Sequence, residues 1–380
     1  MKYPDEMANT MNTKNKNHDA TRPLRVGIVG CGWVAGSQIE RGFSQLRDRF
    51  TVAACCDADH ARAEDFALRH GIEVVSEDFA ALLAEDLDVI SICTPPSLHH
   101  SMVLGALAAG KHVICEKPFT SSLRLMDQVI AAEAASDRRI MPIFQYRFDD
   151  GIAKVRSLIA SGLCGKAYLS SVETAWLRGA DYYDVPWRGK FATELGGVLL
   201  TQSIHIHDLF LWLMGPAAQI NGFKTTRVNP IEVEDCAVAS VQMADGSLAT
   251  LSATLGSALP VTRIRLCFEN LVIERQCFGT EAKNPGAEPW TITARTPDLQ
   301  AHAERIMSEA HLGPRDFAGQ FADFATALAE DRAFAVTLQD ARRSLELISA
   351  VFHAAETGQT VQLPITADHV RYDGWAPSHE

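Results

Sequence analysis

The sequence predicts an α/β protein: a parallel sheet covered on both faces by helices, followed by an antiparallel sheet. Three observations predict it. Between residues 24 and 144, short apolar runs alternate with helical stretches, the pattern of repeated strand–helix–strand units. Between residues 236 and 278, four strand-like runs follow one another closely, with Asp245-Gly246 and Glu269-Asn270 as hairpin turns. The length of 380 residues is comfortable for two domains, and the change of pattern puts a boundary near residues 144–150.

Each element has its own local reason. Residues 24–30 (LRVGIVG) read as a buried strand and residues 33–46 as the helix after it. Residues 51–56 form a second apolar run, closed by Asp57. Residues 59–70 are Ala-rich with charges on one side, a helix that Gly71 stops. Residues 88–93 are a strand, and residues 98–109 a helix ended by Gly110. Residues 112–115, 123–135 and 139–144 continue as strand, helix and strand. In the second half, residues 236–243, 248–256, 262–268 and 271–278 are the four strands. Phe317, Phe321, Phe324 and Leu328 recur at helical spacing, as do Leu345, Ile348 and Phe352; both sets read as core.

Composition narrows the function. Lys and Arg number 35 against 47 Asp and Glu, a net charge of -12 that argues against nucleic acid and anionic membranes as partners. No apolar run approaches the roughly 20 residues of a membrane helix. The nine cysteines are an odd number with no CxxC pair, and several sit in apolar strands, as expected of reduced thiols in a cytoplasmic protein. Residues 1–21 are polar without an apolar signal core and read as a disordered tail.

The first chemical signal is Gly30-Cys31-Gly32-Trp33-Val34-Ala35, a GxGxxA turn between strand and helix. The first glycine permits the turn. The second lets backbone approach a pyrophosphate, which the N–H groups at the helix start would hold. Asp57 ends the next strand, where a carboxylate accepts both ribose hydroxyls of an adenosine and repels a 2′-phosphate. Ala58 follows it, which favours NAD over NADP, although His60 and Arg62 lie close by. The alternative for Asp57 is a turn or helix-capping role.

Two further segments end strands on the same side. Thr94-Pro95-Pro96-Ser97-Leu98-His99-His100 follows one, and the ordinary reading of His100 is a solvated surface residue. Glu116-Lys117-Pro118 follows another, where Lys117 would point its ammonium into the cleft and stabilise charge on a substrate oxygen. Later, Gly196-Gly197 opens a mostly apolar helix that places Thr201, His205 and Asp208 on one face at i, i+4 and i+7. His207 points elsewhere, so the HxH pair makes no zinc site, and no metal is expected.

In this order, GxGxxA, strand-end Asp, TPP…H, EKP and GG…H..D resemble the Gfo/Idh/MocA family of oxidoreductases, from about Arg25 to Pro364. The most specific piece is Gly110-Lys111-His112-Val113-Ile114-Cys115-Glu116-Lys117-Pro118, joined by Gln145-Tyr146-Arg147-Phe148 and Trp187-Arg188-Gly189. The resemblance implies a Rossmann domain over residues 22–146 and a substrate and oligomerisation domain over residues 147–380, with a large, open, mostly antiparallel sheet. It implies NAD-dependent oxidation of a secondary alcohol of a sugar or cyclitol, and a homodimer or homotetramer built through that sheet. It assigns catalysis to Lys117 and His205, with His205 titrating near neutrality as proton acceptor. Cofactor contacts fall to Gly30, Gly32, Trp33, Val34, Asp57, Thr94, Pro96, His99, Glu116, Lys117 and Arg147. Substrate contacts fall to Lys117, Thr201, His205, Arg178, Tyr183, Trp187 and Arg188, with Tyr182 beside them.

Two departures matter. Inositol-dehydrogenase-like members carry Asp where this chain has Thr201, and the first glycine of the family's GGG is Leu195 here. Thr201 leaves open a nucleotide-sugar or glycoside 3-dehydrogenase, and more remotely a non-catalytic sensor of NAD or sugar.

Overall fold

The computed structural model describes residues 22–376, so the expected N-terminal tail lies outside the described residues. In the first half, β1 (Leu24–Val29), β2 (Phe50–Cys56), β3 (Val74–Val75), β4 (Val89–Ile92), β5 (His112–Cys115) and β6 (Ile140–Pro142) form one sheet. Its order is β3-β2-β1-β4-β5-β6 and every pairing is parallel. The crossovers carry α1 (Trp33–Arg41), α2 (His60–His70), α3 (Phe79–Ala84), α4 (His99–Ala108) and α5 (Leu123–Ala134). Val26, Ile28, Ile90, Ile92, Val113 and Ile114 are fully buried, as a parallel sheet covered on both faces requires. Strand order reverses between β1 and β4, which opens a crevice beyond their carboxyl ends.

Residues 33–46 are not one helix. The helix ends at Arg41 and a 3-10 turn, Phe43–Gln45, follows. Gly42 is the reason: a Cβ there would lie 2.5 Å from the Phe321 ring, so the chain turns where that ring presses in.

The second half comprises α6 (Asp150–Ala160), β7 (Ala167–Leu177), α7 (Ala180–Tyr183), α8 (Val198–Thr201), α9 (Ile204–Met214), β8 (Ala217–Thr225), β9 (Cys236–Met243) and β10 (Leu248–Thr254). Then come β11 (Gly256–Phe268), β12 (Leu271–Phe278), β13 (Thr291–Ala294), α10 (Pro297–Ser308), α11 (Asp316–Ala329), α12 (Leu338–Thr357) and β14 (Val361–Gln362). The eight strands run in the order β13-β12-β11-β7-β10-β9-β8-β14. All neighbours are antiparallel except β10 and β7. The four predicted strands are present, but β10 and β11 do not pair, because β7 lies between them. β7 escapes a sequence reading because its inward side includes Ser170 and Thr174 among Val172 and Trp176, which blurs the apolar alternation.

Helices cover one face of this sheet, with α12 packed on β8 and α9 on β7. The other face stays open and carries Phe223, Val238, Leu248 and Leu169 as exposed apolar side chains. α11 leaves its own half and joins the core of the first. The rings of Phe43 and Phe321 stack at 4.3 Å, and Phe324 stacks on Phe334 at 5.0 Å. Among the described residues no helix is long and apolar enough to cross a membrane.

Candidate active site

The glycine turn follows β1. Gly30 has φ +89°, and a Cβ there would lie within 2.8 Å of the Cys93 and Thr94 backbone. Glycine is therefore required where the turns after β1 and β4 meet. At Gly32 a Cβ would meet nothing, so this residue faces open space. No side chain caps α1 and no acidic residue occupies its first turn. Its positive end thus faces the crevice, with Trp33 83% exposed at the rim and Val34 beside it. That cradle suits the pyrophosphate of a dinucleotide.

Asp57 braces the cradle. Its Oδ2 accepts from the Cys31 amide at 2.8 Å, and its Oδ1 accepts from the Asp59 amide at 2.9 Å and from Arg62 Nη1 at 3.3 Å. The residue that caps α2 is Asp59, not Asp57. Asp57 therefore keeps its carboxylate at the crevice edge, with the Arg62 cation against it.

Beyond β4 and β5, the residues divide. Thr94 and Pro96 line the turn, Pro96 buried at the start of a 3-10 turn. His99 does not face the cofactor crevice. It is fully buried, and its ring nitrogens lie 2.8 Å from Pro118 O and 2.9 Å from Thr94 O, so it ties the two strand-end turns together. His100 is half-buried rather than solvated. Glu116 also turns inward: Gln38 Nε2 donates to its Oε1 at 2.8 Å, and burial pushes its carboxyl up. Lys117 turns the other way. Its Nζ donates to Thr201 O at 2.7 Å, across from the second half. Burial lowers its pKa, against the pull of Glu116 and Glu194.

The stretch after Gly196-Gly197 is not one continuous helix. A Cβ on Gly197 would lie 1.7 Å from Glu234 O, so the loop that carries Glu234 before β9 packs directly on the helix start. Glu234 accepts from the Gly197 and Leu199 amides at 2.9 and 3.0 Å. Leu195 takes φ +72°, the conformation that explains the family's glycine there. α8 ends at Thr201, the Ser203 amide reaches back to Val198 O at 2.8 Å, and α9 begins at Ile204. The break separates Thr201 from the continuous helix that carries His205 and Asp208. Asp208 accepts from Arg147 Nε at 2.7 Å and from Nη2, with both side chains about 3% exposed or less. Asp340 holds Nη1 at 3.3 Å. The guanidinium of Arg147, expected as a cofactor contact, is thus engaged in a buried ion pair.

His205 stays at the site. Its ring packs against Tyr146 at 4.8 Å and edge-on to Phe144 at 6.1 Å, and its Nδ1 has no hydrogen-bond partner. Burial, then the Lys117 charge, hold its pKa well below 6.5 rather than near neutrality. The imidazole is therefore neutral and able to accept a proton. His207 is buried elsewhere in the apolar packing, its pKa lowered to about 4 by burial alone. Among the described residues no group of three or more His, Cys, Asp or Glu is arranged to hold a metal.

A cleft of about 480 Å³ adjoins this centre, lined by Arg178, Tyr182 and Arg188 among others. Tyr182, not Tyr183, faces it. Tyr183 packs against the core and edge-on to Tyr182. Trp187 lies outside the lining, its carbonyl accepting from Thr193 Oγ1 at 2.6 Å. Gln202 was missed by sequence reasoning. Its Oε1 meets the Thr201 hydroxyl and its Nε2 donates to Tyr182 OH at 2.9 Å, linking the cleft to the Lys117 anchor. The available signal was one more polar side chain in an apolar run.

Comparison with known proteins places this geometry. The model of an oxidoreductase family with an NAD-binding Rossmann fold, GFO_IDH_MocA, matches residues 24–144, and that of the GFO/IDH/MocA C-terminal domain matches residues 152–274. The chain belongs to the Gfo/Idh/MocA oxidoreductase family. Among its relatives, the D-glucoside 3-dehydrogenase of Escherichia coli is 30% identical over 53% of this chain and 56% of its own length. The inositol 2-dehydrogenase of Rhodococcus erythropolis is 36% identical over 38% of this chain and 42% of its own. The aligned region thus spans about half the length of each. The WlbA dehydrogenase of Bordetella pertussis, solved with NADH and UDP-GlcNAcA, shares the fold. Its TM-score is 0.79 at 23% identity, over 91% of this chain and 100% of that one. The glycine cradle and the Rossmann sheet of this Gfo/Idh/MocA chain make it an NAD-binding oxidoreductase.

Proposed function

We propose that this chain is a dehydrogenase that oxidises a secondary hydroxyl of a sugar or cyclitol. The observation that carries the reading is the meeting of Lys117, from the β5 end, with the Thr201–His205 segment of the second half. Lys117 holds the substrate oxygen and stabilises negative charge as it develops. His205, neutral through burial, takes the hydroxyl proton. NAD, when bound, supplies the acceptor for the hydride that leaves the same carbon. Residues 30–34 hold its pyrophosphate and Asp57 its adenosine ribose.

The test is a screen of cyclitols, aldoses, glycosides and UDP-sugars for NAD reduction. Turnover of any polyol that disappears in Lys117→Ala supports the reading; no turnover with any of them overturns it. A second reading, a nucleotide-sugar or glycoside 3-dehydrogenase, is favoured by the uncharged Thr201, and a strict requirement for a UDP or aglycone group selects it.

The same reading includes self-association through the open sheet face. Phe223 is 71% exposed there and pairs across β8 and β9 with Val238, itself half exposed. Such a row is costly to leave in water. Light scattering of wild type and Val238→Lys tests it: a monomeric wild type overturns it.

A further inference from the structure

The cleft beside the reaction centre holds two arginines whose N–H groups are only partly met: Arg178 Nη1 donates to Leu177 O at 3.1 Å. The Arg178 and Arg188 guanidinium groups both lie over the Tyr182 ring, 4.8 and 3.5 Å from its centre. Arg178 Nε, Arg188 Nε and Arg188 Nη1 are buried and make no hydrogen bond, and among the described residues neither guanidinium forms an ion pair. Buried N–H donors of a charged group are costly to leave unmet. Their backbones are pinned nonetheless: the Arg178 amide donates to Leu255 O at 3.0 Å, and its carbonyl accepts from Asn229 Nδ2 at 3.1 Å. The Arg188 amide donates to Val185 O at 3.0 Å. The side chains are therefore presented by a fixed frame.

Among the described residues no carboxylate closes an ion pair with either guanidinium, although Glu194 feels the Arg188 charge while burial raises its own pKa. Asp181 lies at the exposed lip of the cleft. Glu194 is buried behind and is taken by the Gly189 amide at 2.5 Å. On the positive side stand Arg178, Arg188 and, through Gln202 and Thr201, Lys117. Lys283 is near enough for the Arg178 charge to lower its pKa. Fixed guanidinium donors beside a surplus of positive charge match the planar, bidentate acceptors of a carboxylate or phosphate.

We propose that the cleft takes an oxyanion of the substrate, so that the sugar oxidised at the Lys117–His205 centre is an anionic one: a sugar acid or a sugar phosphate. This rests on the dehydrogenase reading and names its substrate class. Hydroxyls of a neutral polyol accept hydrogen bonds from guanidinium N–H groups but leave both positive charges uncompensated. An acid of the same skeleton would bind them while its carbinol lies against Lys117, with Tyr182 as the floor between.

The experiment compares matched sets on the full chain: glucose, gluconate, glucuronate and glucose 6-phosphate, then the galactose and inositol counterparts. NAD reduction gives kcat/KM, and thermal stabilisation of the NADH-bound protein gives binding without turnover. The expected result is a preference for one anionic class of about tenfold or more, carried mainly in KM, and shrinking toward unity in Arg188→Gln and in Arg178→Gln. Aldonates and uronates against phosphates identify which oxyanion fits. Added salt should lower the preference in wild type and not in the variants. Neutral sugars used as well as acids would overturn the inference and leave the dehydrogenase reading intact. Absence of turnover with every compound would sink the dehydrogenase reading, while anion-specific stabilisation lost in Arg188→Gln would still support the site. Should a variant fail to fold, the same wild-type comparison of acid with neutral sugar decides.

Discussion

Lys117 Nζ donates to the main-chain oxygen of Thr201 at 2.7 Å, and this contact joins the two halves of the protein at the reaction centre. It orients an ammonium whose pKa burial lowers, against the pull of Glu116 and Glu194. The side chain at position 201 takes no part in the anchorage, since its hydroxyl lies against Gly197 O and Gln202 Oε1.

Replacing the proposed catalytic pair should separate chemistry from cofactor binding. Lys117→Ala and His205→Ala should each lower kcat by roughly 10²–10⁴-fold with NAD affinity largely kept. Thr201→Ala should cost less, because its acceptor oxygen belongs to the backbone. Steady-state kinetics with NADH binding measured separately checks this. Near wild-type kcat in His205→Ala would move the base elsewhere.

The pH profile follows from burial. His205 must be neutral, and its pKa is held well below 6.5, so kcat/KM should fall only on the acid side of 6.5. Lys117 must be charged, and its pKa lies below 10.5, so activity should fall as pH rises through that lowered value. Lys117→Arg should carry any remaining alkaline limb upward, because a guanidinium stays charged. An acid limb centred above pH 6.5 contradicts the assignment of His205.

Arg147 should behave as a structural residue. It and Asp208 form an ion pair out of solvent, so removing one partner strands the other. Arg147→Met should destabilise the fold by about 3–5 kcal/mol. The KM for NAD should barely move in whatever fraction folds. Denaturant unfolding beside cofactor titration distinguishes the two effects, and an intact fold with weakened NAD would restore the cofactor role.

Cofactor preference should turn on Asp57 and its neighbour. Asp57→Ala removes ribose acceptors, releases Arg62 Nη1 while Asp59 keeps Nη2, and loosens the brace on the Cys31 amide. The ratio of kcat/KM for NAD to that for NADP should therefore fall, by about tenfold or more. A wild type that prefers NADP would show that the Arg62 charge, not the Asp57 carboxylate, governs the site.

What was legible depended on whether the signal was local. Strand-end positions carry their own punctuation, so Gly30, Asp57 and Lys117 could be located from spacing, and their placement beyond β1, β2 and β5 is what the structure has. Arg147 and His99 were legible as residues of the site region but not in their roles, because those depend on partners far along the chain or across a loop: Asp208 and Asp340, and Pro118 O. The helical face shared by Thr201, His205 and Asp208 assumed unbroken periodicity. The register slips at Gln202-Ser203, downstream of Gly197, on which the Glu234 loop presses, and nothing in residues 195–208 announces that neighbour. The expectation that His205 titrates near neutrality takes the ordinary imidazole value; burial against Tyr146 and Phe144, and then the Lys117 charge, lower it.

The phenylalanines of α11 carry a consequence for modularity. Phe321 and Phe324 complete the apolar core under β1 and β2, together with Phe43 and Phe50. The nucleotide-binding half is therefore discontinuous along the chain. A fragment cut near residue 146 would expose the surface that α11 covers. A chimera that exchanges this half with another dehydrogenase must carry the segment around residues 316–334 with it, or supply a matching set of rings.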